Sequence, residues 1–471
     1  MRRLTLVALV ASASLVFAAC AMPADDPNFT GGENAGGAAA ASQDAQTASD
    51  AQSAVQAAMA APTSIGVDAP LSKAPAKGAV IVSVSDGSAL DTLIGASMAK
   101  AATSLGWTFQ EVTGADSAEN APAAFDKALA MNPAGIRISG SYADAIADGL
   151  AKAAAAKIPV ICTGCATPGA ATDATSAAAS APAASAPAAS APAASAPADA
   201  GTATGLIADT TLDGSVQNAQ WGSLLASYVF FNRNKDEDAG VELFSSPGGG
   251  VAAFNTAFAD QFAALCRNCS SNEDAIDPTT VTDVAGFVSD TMSTALGRWA
   301  LIDTGVNATG VQDALASNPA LLSPVIVVGR MASAKDISGL SGTAAAPAAG
   351  ASDAGSAAAS APAAPSAPAA SAPAPSGAPA SGGADAGSVD LGTPEQAAAR
   401  QAWIAVSVPI LGWRVIDQFA RILGGDAPAT GPLPSQLLTP ANAKDAVLDA
   451  DGNYIGIKGF EAAFAKLWGL G

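Results

Sequence analysis

The chain has 471 residues and a formal charge of −20, from 41 acidic against 21 basic side chains, and contains no histidine. Ser-His-Asp and Cys-His nucleophile systems, histidine-held metals and imidazole proton shuttles are therefore excluded. Apart from Arg2 and Arg3 there is no basic run to displace counterions from phosphates, so no nucleic-acid partner is expected.

The amino terminus reads as an export signal. Arg2 and Arg3 precede an apolar or small run at 4–19, too short for a membrane span, and Cys20 follows in the context VFAAC. A basic head, a short apolar core and small residues before a cysteine resemble the lipoprotein signal peptides of bacteria, with Phe17 where that motif usually has leucine. The resemblance implies removal of a signal peptide at 1–19 and lipidation of Cys20. Acyl chains would anchor the product stably, since each buried methylene contributes about 0.8 kcal/mol. An ordinary secretory leader with a chance cysteine is the alternative. Residues 20–77 are expected to form a lipid-anchored flexible tether with a root-mean-square reach of roughly 40 Å.

Four buried-strand signals follow, AVIVSVS from Ala79, WTFQEV from Trp107, AGIRIS from Ala134 and IPVIC from Ile158, starting 28, 27 and 24 residues apart. Each gap holds one crossover helix, and the apolar positions agree: Leu90, Leu93, Ile94, Met98 and Leu105 share a face, as do Ile146, Ala147 and Leu150. Three successive strand-helix-strand units predict a doubly wound parallel sheet with its ligand crevice at the carboxyl ends of the strands. This first lobe covers 78–165.

Segments 166–203 and 343–389 consist almost wholly of Ala, Ser, Pro, Gly and Asp, with repeats such as ASAPAASAPAAS. They hold too few large apolar groups to offset chain entropy and are expected to be disordered inserts. Between them, 204–342 reads as a second lobe. It opens with LIAD and a helix from Ser215, then continues with VELFSS, a PGGG loop at 247–250 and a helix through Leu265. A weak strand near Ala275, a helix from Val284, the strand WALID, a helix through Ala316 and the strand PVIVVG complete it. In the last stretch, 390–471, WIAVSV reads as a strand and Leu411 onward as a helix stopped at Gly424-Gly425.

The runs AKAATSLGWTFQEVTGADSAEN, YADAIADGLAKAAAAKIPVI and LGWRVIDQFARILGG followed by PLPSQLLT are similar to segments of ribose-binding-like solute-binding proteins of ABC sugar importers. That resemblance implies the type 1 periplasmic-binding-protein fold: α/β, two doubly wound parallel-sheet lobes with an interlobe cleft, and 390–471 as a return segment completing both. It implies a non-enzymatic protein without cofactor or metal, extracytoplasmic and monomeric, with an ABC permease and a small solute, a sugar by default, as partners. A ligand sensor reporting to a membrane receptor and a structural surface lipoprotein with a degenerate cleft are the alternatives.

In that family the solute stacks on aromatics and bonds to charged side chains. The aromatic positions fall here on Leu90 and Asp91, the Asp-Arg pair after the fourth strand falls near Gly164 and Cys165, and the arginine after the PGGG loop falls near Asn255. Other strand-end groups, Asp86, Tyr142, Thr211, Asp303, Asn307, Arg330 and Ser407, could contact a ligand or serve as caps and loop polar groups. Asp144 reads as a helix cap, and Trp221, Trp299 and Trp413 as core more than as stacking surfaces. The PGGG loop lacks the Gly-Lys-Ser/Thr ending of a phosphate loop and reads as a tight turn at the crevice.

Beyond Cys20, four cysteines stand as CTGC (Cys162, Cys165) and CRNC (Cys266, Cys269). Their spacing matches a four-thiolate zinc site, but a strand end and a helix end in different lobes should lie far apart. Outside the cytoplasm two local disulfides are expected instead, without a redox role.

Overall fold

The computed structural model describes residues 35–165, 206–207, 214–234, 240–246, 249–277, 280–295, 297–321, 323–342 and 393–470. The expected leader, Cys20 and the inserts 166–203 and 343–389 lie outside them. The chain divides into units 1–46 and 47–471; of the first only the opening of helix α1 (Ala35–Ala58) is described, and all that follows concerns the second. Among the described residues no helix is long and apolar enough to cross a membrane.

The four strand signals form β1 (Val80–Ser85), β2 (Thr108–Thr113), β3 (Gly135–Ser139) and β4 (Val160–Thr163), joined by α2 (Ala89–Ser104), α3 (Ala121–Ala130) and α4 (Ala147–Ala155). With β5 (Leu206–Ile207) they make a parallel sheet of order β2-β1-β3-β4-β5. This corrects the expectation that LIAD opens the second lobe: the chain returns beside β4 and crosses only afterwards. A short apolar run reports burial but not which sheet edge it joins.

The second lobe contains α5 (Ser215–Asn232), β6 (Gly240–Ser245), α6 (Gly249–Leu265), β7 (Ser270–Ala275), α7 (Val284–Thr294), β8 (Trp299–Ile302), α8 (Val311–Ser317), β9 (Ile326–Arg330) and α9 (Ala334–Ser341). After α10 (Pro394–Ala399) come β10 (Ala402–Val406), α11 (Val408–Gly424), β11 (Ser435–Leu438) and α12 (Phe460–Leu467). The sheet order is β11-β10-β9-β8-β6-β7, parallel except for β11. Helix α11 leaves this sheet to pack on α2 of the first lobe, and β11 returns. Among the described residues the chain passes between lobes at Ser407 and through 425–434, and β5 and α5 lie in different lobes.

Strand alternation sorts the side chains. Val82, Val84, Ile136 and Ile138 bury one face of the first sheet with Phe125, and Ile302, Val327 and Ala405 one face of the second. The opposite faces join a single core through α2, α5, α6 and α11. Trp221, Trp299 and Trp413 are buried there, Trp413 stacked on Trp468 with ring centroids 5.3 Å apart. Asp144 lies inside the 3-10 stretch Gly140–Ile146, and Ile146 occupies the N-cap of α4 without a side-chain cap, so the capping expectation fails. The chain kinks at Tyr142 within that stretch, so a helix start could not be located from periodicity alone.

Residues 51–77 are a docked strap and not the free tether expected from composition. Ala51, Val55, Ile65 and Val67 are buried. The Met59 carbonyl accepts from Gln436 Nε2 and Asn442 Nδ2, the Ile65 carbonyl from Arg414 and the Ala69 carbonyl from Arg421. Farther along, the Ala76 carbonyl accepts from Trp107 Nε1 at 2.7 Å. The strap is held chiefly by its backbone oxygens, which composition cannot reveal.

Helices α5 and α6 meet at Gly222, where a Cβ would lie 2.2 Å from the Phe254 carbonyl oxygen. Gly222→Ala must separate the helices and is expected to lower stability by about 1–3 kcal/mol. An unchanged midpoint in urea unfolding would show that this contact relaxes freely.

Candidate functional site

The carboxyl ends of both sheets face one crevice of about 70 Å³. From the first lobe come Asp86, Ser88, Leu90, Asp91, Arg137, Ser139, Thr163 and Gly164; from the second, Ser246, Val251, Asp303, Thr304, Asn307, Arg330 and Met331. No aromatic side chain is among these described lining residues.

Its centre is built by strand alternation. Flanked by Ile136 and Ile138, Arg137 points to the opposite face of β3, which α2 covers. Asp91 sits in the first turn of α2, where the helix dipole favours an anion, behind the N-cap Ser88. Arg137 Nη2 donates to Asp91 Oδ1 at 2.7 Å and also to Thr163 Oγ1, so groups following β1, on β3 and on β4 share one guanidinium. The other Asp91 oxygen accepts the Asp86 N–H at 3.0 Å. Burial alone would raise the Asp91 pKa, but the charge and hydrogen bond of Arg137 outweigh it and hold the group below its ordinary value. Asp86 is displaced the other way, raised by burial and then by the neighbouring Asp91 charge, although it accepts from the Ser88 N–H and Ser139 Oγ.

In the second lobe Asp303 is fully buried beyond β8 and accepts the Ser246 N–H at 3.0 Å. Burial pushes its pKa up to about 6 against the opposing charge of Arg330. The Arg330 guanidinium lies 5.3 Å from the Phe254 ring centroid. Two hydrogen bonds of 3.0 Å cross the crevice: the Leu90 N–H donates to Asn307 Oδ1, and the Gly250 N–H to the Gly164 carbonyl.

The structure thus brings Asp86, Asp91, Asp303, Asn307 and Arg330 together. It does not bring in Asn255, which is buried and donates to Glu273 Oε1 at 2.8 Å, nor Ser407, which caps α11 by accepting the Ile410 N–H. A helix side chain and a strand-end hydroxyl were assigned by position, whereas these bonds lie within their own lobe or helix. Tyr142 borders a separate small hollow with Val84, Ala115 and Ile138. Its pKa is raised by burial and then by the charges of Asp86, Asp277 and Asp116. Thr211 lies outside the described residues. Arg137, Thr163 and Ser246 were missed. Arg137 had a signal, an arginine inside the buried pattern AGIRIS, since a buried cation requires a partner.

Each CxxC pair is a disulfide, Cys162–Cys165 with Cα atoms 5.9 Å apart and Cys266–Cys269 with 5.3 Å. The first closes the turn after β4 and the second joins the end of α6 to β7.

No protein-family model matches the sequence, and no curated protein matches it. Solved structures do resemble it. The solute-binding protein of an ABC transporter from Mycobacterium smegmatis, solved with glycerol, is similar with a TM-score of 0.52 at 11% identity, over 79% of this chain and 98% of that one. A carbohydrate-transporter solute-binding protein from Agrobacterium radiobacter, in complex with D-arabinose, gives 0.49 at 16% identity, over 78% and 96%. At such identities the likeness concerns the fold, that of type 1 periplasmic binding proteins.

Asp91→Ala leaves Arg137 buried without its counter-charge and is expected to destabilise the protein by about 3–5 kcal/mol in urea titration. Adding Arg137→Met should recover most of that loss; no recovery would mean that the pair is not the source. Asp303 gives a pH signature. The native state keeps its proton to about pH 6, whereas the unfolded chain releases it near 3.8, so stability falls as pH rises through that window. The span corresponds to about 3 kcal/mol. Asp336, also pushed up to about 6 by burial, titrates alike in wild type and variant. Asp303→Asn should therefore gain about 2–3 kcal/mol relative to wild type between pH 4 and pH 7. A constant difference would contradict the assigned ionisation.

Proposed function

We propose that this protein is the extracytoplasmic solute-binding lipoprotein of an ABC importer, anchored through Cys20, which takes a small polyhydroxylated solute between its lobes and delivers it to the permease. It acts as a monomer, without cofactor or chemical conversion, and a sugar or polyol is the solute class. The observation that carries this reading is a crevice lined from both lobes by donors and acceptors: Asp86, the Asp91–Arg137 pair, Asp303 and Arg330. Hydroxyl groups need such partners when buried, because an unpaired one costs about 1–3 kcal/mol.

Small-molecule sites commonly measure about 300–1,000 Å³, so the present crevice corresponds to a closed state. A sugar must enter after the lobes part. Parting breaks the Leu90–Asn307 and Gly164–Gly250 bonds, and the interlobe crossings supply the hinge. The same small volume favours a second reading, a structural surface lipoprotein whose crevice its own side chains fill.

Thermal unfolding with pentoses, hexoses and polyols, D-arabinose and glycerol included, separates the two. A true solute at a hundred times its dissociation constant should add about 2.7 kcal/mol of stability. Arg330→Met should abolish that gain. Silence across the panel, together with an unchanged scattering radius, would leave the structural reading standing.

A further inference from the structure

The Cys162–Cys165 bridge encloses two residues, Thr163 and Gly164, and both line the crevice. Thr163 Oγ1 accepts from Arg137 Nη2 and so fixes the guanidinium that pairs with Asp91. Gly164, in the left-handed region with φ 74, presents its carbonyl to the Gly250 N–H of the other lobe at 3.0 Å. Gly250 is the second residue of α6, and N–H groups of a first helical turn have no partner within their own helix. The first lobe thus caps a helix of the second through a turn that a disulfide closes. Cys266–Cys269 has the same spacing, but none of its residues lines the crevice.

We propose that the Cys162–Cys165 disulfide is a positioning element of the crevice, and that its oxidation state sets whether the two lobes hold their closed arrangement. The consequence for solute binding rests on the crevice being the solute site; the consequence for closure stands on these contacts alone. Reduction by a dithiol transfers two electrons and two protons: the S–S bond is replaced by two thiols, and the dithiol leaves as a disulfide. Both cysteines are buried within the first lobe's own core, Cys162 at 0% and Cys165 at 6% exposure, so reduction requires that core to open locally. Without the bridge the Thr163–Gly164 turn loses its covalent constraint, and the Gly250 N–H exchanges the Gly164 carbonyl for water.

The test uses the full chain carrying Cys266→Ser and Cys269→Ser, in which Cys162–Cys165 is the remaining bridge among the described residues. Amide hydrogen exchange is followed by mass spectrometry with and without dithiothreitol, and repeated without reductant on the Cys162→Ser/Cys165→Ser protein. Loss of the bridge is expected to speed exchange at least tenfold in 246–254 while leaving 299–302, in the centre of the second sheet, unchanged. Equal exchange in both forms would overturn the proposal, and so would acceleration spread evenly over the chain, the mark of a bridge that stabilises only the fold. A solute bound equally by oxidised and reduced protein, with exchange unchanged, would sink it and leave the solute-binding reading intact. Faster exchange in 246–254 with no solute bound by either form would have the opposite meaning.

Discussion

One buried cation organises the carboxyl ends of the first sheet. Arg137 stands on a central strand, where its charge must be compensated locally, and its compensation comes from two stretches distant in sequence. Asp91 supplies the counter-charge, Thr163 supplies a further acceptor, and Asp91 in turn holds the backbone beyond β1. Removing an ion from water costs several kcal/mol even after relaxation, so these partners are bound to one another's positions. The crevice wall of the first lobe is the visible result.

The second lobe solves the same problem differently. Asp303 is held by the Ser246 N–H and the field of Arg330, yet burial still dominates and keeps its proton affinity high. The two walls are therefore electrically unlike: in the first the carboxylate is firmly ionised by a touching guanidinium, in the second it titrates within reach of neutral pH. Across the gap the contacts are neutral hydrogen bonds, Leu90 to Asn307 and Gly250 to Gly164. Such bonds contribute only about 0.5–1.5 kcal/mol each.

Residues 51–77 pack along α11 and the crossing 425–434. Helix α11 carries Arg414, Asp417 and Arg421 fully or nearly buried, an arrangement no isolated helix could tolerate. Asp417 pairs with Arg421 at 2.7 Å and accepts from Trp468 Nε1, while carbonyls of the strap accept from both guanidiniums. The strap also reaches β11 through Met59 and Gln436, so it spans elements of both lobes.

Local pattern by itself determined the winding of the first sheet. Four apolar runs at even spacing, with amphipathic helices between them, admit few arrangements other than a parallel sheet, and strand-end positions follow from it. That is why Asp86 could be named as a neighbour of a crevice, with Asp303, Asn307 and Arg330 at the equivalent strand ends of the second lobe, whereas Asp91 was named through the resemblance to ribose-binding-like proteins. What lies across from each of them was settled only by tertiary structure: that Arg137 meets Asp91, that β5 joins the first sheet, that Asn255 turns to Glu273, and that backbone carbonyls of 59–76 receive buried arginines and a tryptophan. Periodicity records which face a residue occupies, because burial repeats along the element. A hydrogen bond or ion pair between distant segments leaves no such repeat, and a carbonyl acceptor leaves no trace in residue identity at all.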